Sequence, residues 1–182
     1  MSPLHTRRSF LRSTALGGAL GWTVPSFLAA TFDQLHAEAD TCVLSTFTQA
    51  DAITLGTYAL GKAQEQALPI VIEVRRLGQI AFRAAVPGSR RDSYSWIERK
   101  ARVVERFEDS TLAVRVKYEE RGTTFNESTG LSELDYAAHG GGVPIVVDGV
   151  GIVGGLYISG LPQVADHDFA ISCLLNLRQD QG

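Results

Sequence analysis

The sequence lacks most of the features that assign a chain to a familiar chemical class. Only two of its 182 residues are cysteine, which is too few for a disulfide framework. It contains no nucleophile elbow, phosphate-binding loop, dinucleotide fingerprint, CxxC pair or HExxH zinc motif. Its formal net charge is −3, so no basic field indicates nucleic acid as a partner. Its length and ordinary hydrophobic content favour one globular domain.

The N-terminal segment also lacks the long uninterrupted apolar run of a membrane-spanning helix. Arg7 and Arg8 precede a modest apolar stretch, residues 13–30, which is broken by three glycines and Pro25. These interruptions argue against a stable membrane anchor. The arginine pair, followed by Phe10 and the apolar stretch, predicts a twin-arginine export leader. The alternative is an amphipathic helix in which the arginine pair is accidental.

Two small-residue patterns could mark the end of this leader. One ends at Ala39 and has the small-x-small form, and a looser one ends at Ala30. We predict a signal peptide at residues 1–39, with its cleavage site left open, and a single domain at residues 40–182. The twin-arginine machinery, which transports folded proteins, would then deliver the protein to the periplasm or the exterior.

Helical and strand periodicities alternate along the rest of the chain. The apolar spacing predicts helices at residues 48–67, 92–107 and 165–177, and hairpins at residues 69–85 and 143–159. Residues 110–121 fit a strand or a helix, residues 122–130 a loop, and residues 131–138 a short helical turn. Hairpins imply antiparallel pairing, so the fold class is α+β, with a small antiparallel sheet of two hairpins covered by helices.

The last predicted helix is apolar almost all round. Such a helix is usually buried on more than one side. A sheet beneath it and a second subunit above it would satisfy this pattern, so we predict a homo-oligomer. Cys173 lies in this helix and is expected to be a buried free thiol.

His139 is followed by Gly140, Gly141 and Gly142 and then by a strand-like apolar run. Glycines let backbone N–H groups approach a ligand closely and can form an anion-binding nest. An imidazole beside such a nest could donate a proton, bind a carboxylate or ligate iron. In the other interpretation the glycines only turn the chain and His139 hydrogen-bonds to the backbone. Composition alone leaves both interpretations open.

Lys100 lies on the predicted apolar stripe of the helix at residues 92–107. In one interpretation its stem covers the core while its ammonium reaches water. In the other it is a cation at a pocket lined by Trp96, where Arg99 could clamp a carboxylate or phosphate. Arg75, at the end of the first predicted strand, could do the same or face water. Together, His139, Lys100 and Arg99 favour a small anionic ligand.

His167 lies between Asp166 and Asp168, where the last helix is predicted to begin. Acidic residues there complement the helix dipole, and Asp166 fits a capping residue. The dipole also favours a neutral His167, which suits a metal ligand or a general base. A solvated or capping histidine is the alternative. His139 and His167 could share one metal ion, although no zinc-type ligand spacing supports this.

Several blocks of the sequence resemble the haem-degrading HbpS-like family, which includes GlcG-type proteins and the PduO C-terminal domain. The most specific are WIERK at 96–100, HGGGVPI at 139–145 and SGLPQVADH at 159–167. With similar blocks elsewhere they cover nearly all of residues 40–182, and the likeness is greatest to a poorly characterised branch. The resemblance implies a profilin-like fold with three α/β/α layers and a rotationally symmetric oligomer.

The resemblance also implies haem as a cofactor. Haem propionates, like many small metabolites, are anionic groups of the kind expected from the residues. The leading hypothesis is an exported, oligomeric haem-binding or haem-degrading-type protein. Its proposed catalytic residues are His139 and Lys100, and its proposed ligand-binding residues are Arg99, Trp96, Gly140, Gly141, Gly142, Arg75 and Ser159. The alternatives are a non-catalytic ligand-binding or assembly module, and an enzyme acting on a small anionic metabolite.

Overall fold

Six helices and four strands make up residues 30–181, the part of the chain that the computed structural model describes. In chain order they are α1 (Phe32–Asp40), α2 (Gln49–Glu65), β1 (Val71–Arg76), β2 (Gln79–Ala85), α3 (Asp92–Phe107), α4 (Thr111–Glu119), α5 (Phe125–Thr129), β3 (Gly142–Val147), β4 (Gly151–Ser159) and α6 (Gln163–Gln181). The three predicted helices correspond to α2, α3 and α6, and both predicted hairpins are present. The α+β prediction is confirmed.

The two hairpins join into one antiparallel sheet with strand order β2-β1-β4-β3. The first strand of one hairpin pairs with the second strand of the other, so β1 and β4 are the central strands. Val71 of β1 is opposite Ser159 of β4, and Arg76 is opposite Gly154. The last residues of β4 and the first residues of β1 and β3 therefore lie at the same end of the strands.

Helices cover both faces of the sheet because successive side chains of a strand point to opposite sides. Ile72 and Val74 pack in the core formed with α2 and α6. Val71 and Tyr157 belong to the core on the other face, which α3 completes with Ile97. The three-layer α/β/α arrangement is confirmed. Helix α3 is the helix that reaches the end of the sheet at which β4 finishes.

The segment between α3 and β3 differs in part from prediction. Residues 110–121, which fitted either a strand or a helix, form α4, and the Ser110 side chain accepts a hydrogen bond from the Ala113 N–H at its start. The loop predicted at residues 122–130 contains α5, which a capping box between Thr124 and Glu127 begins. The helical turn predicted at residues 131–138 is only a turn near residue 134.

Helix α1 lies within the segment assigned to the leader. Its Leu35 is buried against Leu112 and Val116 of α4. The Phe32 N–H donates to the Glu120 carboxylate at 2.9 Å, which fixes the start of the helix. This helix was missed because its small residues were interpreted as a cleavage signal. The twin-arginine pattern itself lies outside the described residues.

Helix α6 runs beside α2 and packs on β3 and β4, so much of its apolar surface is buried within one chain. Cys173, at its centre, is free and fully buried, as predicted, and burial raises the pKa of its thiol to about 11. Across residues 30–181, no helix combines the length and the hydrophobicity that crossing a bilayer requires.

Candidate functional site

A cleft of about 490 Å³ opens at the end of the sheet, where the central strand β4 finishes. Its walls come from the β2–α3 connection, the first half of α3, the segment before β3, and the junction between β4 and α6. The side chains and backbone that line it belong to Pro69, Gly88, Arg90, Asp92, Ser93, Trp96, Lys100, His139, Ser159, Gly160, Leu161, Gln163 and Asp166. Predicted site residues from three distant parts of the sequence thus meet in one place: His139, Lys100, Trp96 and Ser159.

A buried ion pair lies in the wall of the cleft. The Lys100 Nζ donates to Asp166 Oδ2 at 3.0 Å and to the carbonyl oxygen of Ile158 at 2.7 Å. The exposed fractions of Lys100 and Asp166 are only 3% and 2%. Lys100 is therefore on the apolar stripe of α3, as predicted, but the expectation that its ammonium reaches water is wrong.

Asp166 holds the β4–α6 junction instead of capping α6. The helix begins at Gln163, so Asp166 is within its first turn. Its Oδ1 accepts a hydrogen bond from the Leu161 N–H at 3.0 Å. Burial raises the pKa of Asp166 and lowers that of Lys100, and in each case the partner's charge opposes the effect of burial.

Two polar groups of the cleft have unused hydrogen-bonding capacity. A lysine ammonium has three N–H donors, and residues 30–181 supply only two acceptors to Lys100. The Gln163 Oε1 is buried and accepts no hydrogen bond from this same part of the chain. Buried polar groups are normally satisfied. One donor and one acceptor are therefore available to a bound molecule.

His139 faces the cleft beside Trp96. Their rings meet edge to face, with centroids 5.1 Å apart. The Arg115 guanidinium is 3.5 Å from His139 Nδ1, and a Glu133 carboxylate oxygen is 3.7 Å from Nε2. Burial, followed by the charge of Arg115, lowers the pKa of His139 below its ordinary value of 6.5. At neutral pH the imidazole is uncharged and can act as a base or a metal ligand.

Arg99 supports Trp96 but does not line the cleft. Its guanidinium stacks over the Trp96 ring, 3.9 Å from the centroid. It also donates to the carbonyl oxygen of Glu133 at 3.3 Å. On its other side Trp96 donates from Nε1 to the Asp92 carboxylate at 2.8 Å. These contacts fix the indole as one wall of the cleft, so Arg99 positions a wall and does not face a ligand.

The three glycines after His139 serve close packing and do not line the cleft. A Cβ at Gly140 would collide with the carbonyl oxygen of Gln163. Gly141 has a φ of +109°, and a Cβ there would be 2.5 Å from the Ile158 carbonyl oxygen and 2.9 Å from Lys100 Nζ. The Gly142 N–H already donates to Thr111 Oγ1 at 3.0 Å. The expected cradle of bare amides around a ligand is therefore not formed.

Arg75 lies away from the cleft, in a network of charges between the sheet and α3. Its Nε donates to Glu73, whose side chain is fully buried, and a terminal nitrogen is 2.7 Å from Glu98. Arg83 contacts the same two carboxylates. Each arginine thus divides its guanidinium between Glu73 and Glu98. Arg75 was expected either to clamp a ligand or to face water. It does not line the cleft, and its side chain is only 11% exposed.

His167 is buried behind the cleft, with an exposed fraction of 1%, so the expectation of a solvated or capping histidine is wrong. Its Nε2 is 2.9 Å from Glu38 Oε2 of α1, and its Nδ1 has no partner in the described part of the chain. Within residues 30–181, no group of three or more His, Cys, Asp or Glu residues is arranged to hold a metal ion. His167 therefore links α6 to α1 through Glu38, and a metal ion shared by His139 and His167 stays a prediction.

Arg90, Ser93 and Gln163 line the cleft but were missed in the sequence. Arg90 and Ser93 are on the β2–α3 connection and the start of α3, which the sequence marks only as a turn after Pro87. Gln163 lies inside the SGLPQVADH block, and this resemblance was the one signal that could have indicated it. Arg90 is exposed and has no carboxylate partner among residues 30–181, whereas Arg75, Arg83 and Arg115 all do.

Comparison with known proteins gives relatives of matching length. The UPF0303 protein of Streptomyces avermitilis is 43% identical over 144 residues, which cover 79% of this chain and 88% of that protein. The UPF0303 protein of Acidobacterium capsulatum is 40% identical over 135 residues, which cover 74% of this chain and 82% of that protein. At this identity and coverage the UPF0303 proteins are homologues of this chain.

Solved structures share the fold. The Ybr137w protein superposes with a TM-score of 0.76 at 33% identity, covering 82% of this chain and 88% of that one. A PduOC:heme complex gives a TM-score of 0.61 at 21% identity, covering 72% and 94%. HbpS superposes with a TM-score of 0.57 at 18% identity, covering 72% of this chain and 89% of that one. The family model described as haem degrading protein HbpS-like matches residues 47–174. The chain therefore belongs to the HbpS-like family.

Proposed function

We propose that the protein binds a small molecule bearing a carboxylate in the cleft. The observation that carries this proposal is Lys100, a cation almost completely buried in the cleft wall with one N–H group unused. A buried charge with unfilled hydrogen-bonding capacity is costly unless a ligand or water completes it.

Two further features of the same wall suit an anion. Arg90 supplies a guanidinium that is free to form a bidentate contact with a carboxylate. Helix α3 begins at the cleft, and residue Arg91 at its N-cap makes no side-chain capping hydrogen bond. The Ser93 and Tyr94 N–H groups donate to the backbone carbonyl oxygens of Arg90 and Arg91, so α3 contributes through its dipole, which favours negative charge near its first turn. Trp96 adds a flat apolar surface for the body of the ligand.

The test is a thermal-shift screen of small carboxylates and phosphates with the full-length protein. We expect carboxylates to raise the melting temperature, because a ligand that binds only the folded state stabilises it. Arg90→Ala should reduce the shift, while Arg91→Ala, a neighbouring exposed arginine outside the cleft, should preserve it. Equal shifts in the two variants, or no shift in the wild type, would exclude this binding mode.

Haem is a second candidate ligand, favoured by the neutral imidazole of His139. The family and the fold shared with a PduOC:heme complex support testing it. The residues present fit the reactive groups of haem: His139 for the iron, Arg90 for a propionate, and Trp96 and Leu161 for part of the ring. When bound, haem would supply redox chemistry at iron. This chain would contribute the imidazole of His139 and the cation of Arg90, and would exclude water along one wall.

Hemin titration tests this candidate. We expect a shifted Soret band with the wild type that is lost in His139→Ala and retained in His36→Ala, since His36 is an exposed histidine on α1. A spectrum that is unchanged by hemin, or equal in both variants, would reject haem binding at His139. The carboxylate proposal would stand, since its readout does not depend on iron.

We further propose that residues 1–39 direct export, and that the part of α1 within them remains in the mature protein. Cleavage after Ala30 would keep α1, whereas cleavage after Ala39 would expose Leu112 and Val116 and remove the Glu38 partner of His167. The intact mass of the exported protein distinguishes the two sites. Replacement of Arg7 and Arg8 by lysine should block export, and normal export of that variant would reject the twin-arginine assignment.

An oligomer remains part of the proposal. Leu77, Ile80, Val150 and Ile152 are exposed large apolar residues at the tips of the two hairpins. Leu77 and Val150 are 70% and 72% exposed, and apolar groups of this kind are enriched where proteins associate. Light scattering of the purified protein gives the oligomeric state directly. A monomer would reject this part of the proposal without affecting the cleft.

A further inference from the structure

We propose that Lys100 forms an imine with the carbonyl group of a 2-oxo acid bound in the cleft. The proposal rests on the carboxylate-binding function above and adds a covalent step to it. A 2-oxo acid carries a carboxylate and an adjacent carbonyl carbon. It would therefore use both the anion-binding features at the start of α3 and the amine deeper in the same cleft.

The geometry around Nζ leaves room for this reaction. Two acceptors, Asp166 Oδ2 and the Ile158 carbonyl oxygen, hold the nitrogen in one place. A Cβ on residue 141 would be only 2.9 Å from Nζ, so the glycine at this position keeps a side chain away from the amine. The remaining position on the nitrogen is open to a molecule in the cleft. An amine that is held in place and keeps one position without a hydrogen-bond acceptor suits imine formation.

Burial also prepares Lys100 chemically. Only the neutral amine has the lone pair needed for attack on a carbonyl carbon. Burial lowers the pKa of Lys100, although the charge of Asp166 opposes this. The sequence contains two other lysines, Lys62 and Lys117. Lys62 donates to Ser172 and lies near Phe169, and Lys117 is over Phe32. Neither lines the cleft, so both are internal controls.

The step balances without an oxidant or reductant. The nitrogen lone pair forms a bond to the carbonyl carbon and gives a carbinolamine. The carbon–oxygen bond then breaks, and the oxygen leaves as water with the two hydrogens that the amine loses. A proton passes from the nitrogen to the departing oxygen, carried by a water molecule in the cleft or by the neutral imidazole of His139, which also lines the cleft. The product is an imine between Lys100 and the ligand.

Reductive trapping tests the proposal. The full-length protein is incubated with glyoxylate and sodium cyanoborohydride, and the modified lysines are located by peptide mapping. Mapping is needed because the N-terminal amine also reacts. We expect roughly tenfold more adduct on Lys100 than on Lys62 or Lys117, since a desolvated amine is the better nucleophile. Acetaldehyde, which lacks the carboxylate, should label Lys100 less selectively.

The variants separate the covalent step from binding. Arg90→Ala should reduce trapping at Lys100 and leave Lys62 and Lys117 unchanged, whereas Arg91→Ala should match the wild type. Equal labelling of all three lysines would overturn the proposal. A thermal shift with glyoxylate but no adduct on Lys100 would reject imine formation and leave carboxylate binding intact. Absence of both would reject the proposed function as well.

Discussion

Two clusters of charge lie along α3, and they differ in how many carboxylates surround each cation. In the network on the sheet, Arg75 and Arg83 each contact both Glu73 and Glu98. In the cleft, Lys100 has one carboxylate and one carbonyl oxygen for three N–H groups. Each arginine of the sheet network is thus within ion-pair distance of two carboxylates, although one terminal nitrogen of Arg75 makes no hydrogen bond within residues 30–181. Lys100 has a single carboxylate, and its third N–H group has no acceptor in the same part of the chain.

The difference separates a structural cluster from a candidate site. Burial alone does not distinguish them, because Glu73 is as inaccessible as Lys100. Unused hydrogen-bonding capacity does not distinguish them by itself either, because a terminal nitrogen of Arg75 is buried without a hydrogen bond. The number of carboxylates around each cation within residues 30–181 does: Arg75 and Arg83 each have at least two, and Lys100 has one. Buried charges are retained in proteins when they are paired or when they serve a ligand. The network therefore explains how charged residues fit beneath α3, and the cleft pair is where ligand chemistry is expected.

The largest effect should come from breaking the cleft pair. Lys100→Met leaves the Asp166 carboxylate buried without its cation, and such losses cost about 3–5 kcal/mol of unfolding free energy. Urea denaturation measures it. The double variant Lys100→Met/Asp166→Leu should recover part of the loss, because no buried charge then remains. A single variant as stable as the wild type would mean that the pair is not buried in solution.

Gly141→Ala tests the cleft without changing any charge. The positive φ of Gly141 strains an L residue by about 1–3 kcal/mol, and the new Cβ would also press on Lys100 and Ile158. Gly151→Ala is the matched control, since its φ is +100° but nothing lies near the new Cβ. We expect the first variant to lose clearly more stability in the same urea assay. Equal losses would show that backbone strain alone is involved.

Breaking the sheet network should have a smaller effect. Glu73→Gln removes one shared carboxylate, but Arg75 and Arg83 keep Glu98, and Arg83 reaches solvent. We expect a loss of about 1–3 kcal/mol, the usual cost of an unsatisfied buried polar group. The thermal shift produced by carboxylates should be unchanged. A lost shift in this variant would contradict the separation of the two clusters.

The smallest effect concerns pH. Because the pKa of His139 in the folded protein is below its ordinary value of 6.5, the unfolded chain binds a proton more readily. The contribution to stability is therefore present above about pH 6.5 and is lost as the pH falls through the folded pKa. His139→Gln should flatten the decline in melting temperature between about pH 8 and about pH 5. An identical pH profile in His139→Gln and the wild type would contradict this assignment.

The fold was largely predictable because its main elements are strongly periodic. Both hairpins and helices α2, α3 and α6 follow from local apolar spacing. The elements that were missed carry weaker or competing signals. Helix α5 has only five residues, and its capping pair, Thr124 and Glu127, was the one cue. Helix α1 has small residues at the positions that a signal peptidase prefers, so the same residues fitted both a cleavage site and a helix.

The site was predictable only in part, because its contacts join residues far apart in the sequence. Lys100 was conspicuous as a charge on an apolar stripe, but its partner Asp166 is 66 positions away and also fitted a helix cap. Arg75 was expected either to clamp an anion or to face water. The strand register that places Arg75 next to Glu73 and Glu98 is a property of the whole sheet. The sequence showed which residues are charged, but it did not show which of them form ion pairs in the folded protein.

The three glycines after His139 have a consequence for how relatives of this chain are recognised. Positions 140, 141 and 142 are each crowded by the backbone or side chains of a different element. Any descendant that keeps this junction of β3, β4 and α6 must keep residues without side chains there, whatever molecule it binds. A run of glycines at this point thus indicates the packing of the junction and carries no information about the ligand. Divergence in ligand should be sought in Arg90, Trp96 and Gln163, which selection can change without dismantling the sheet.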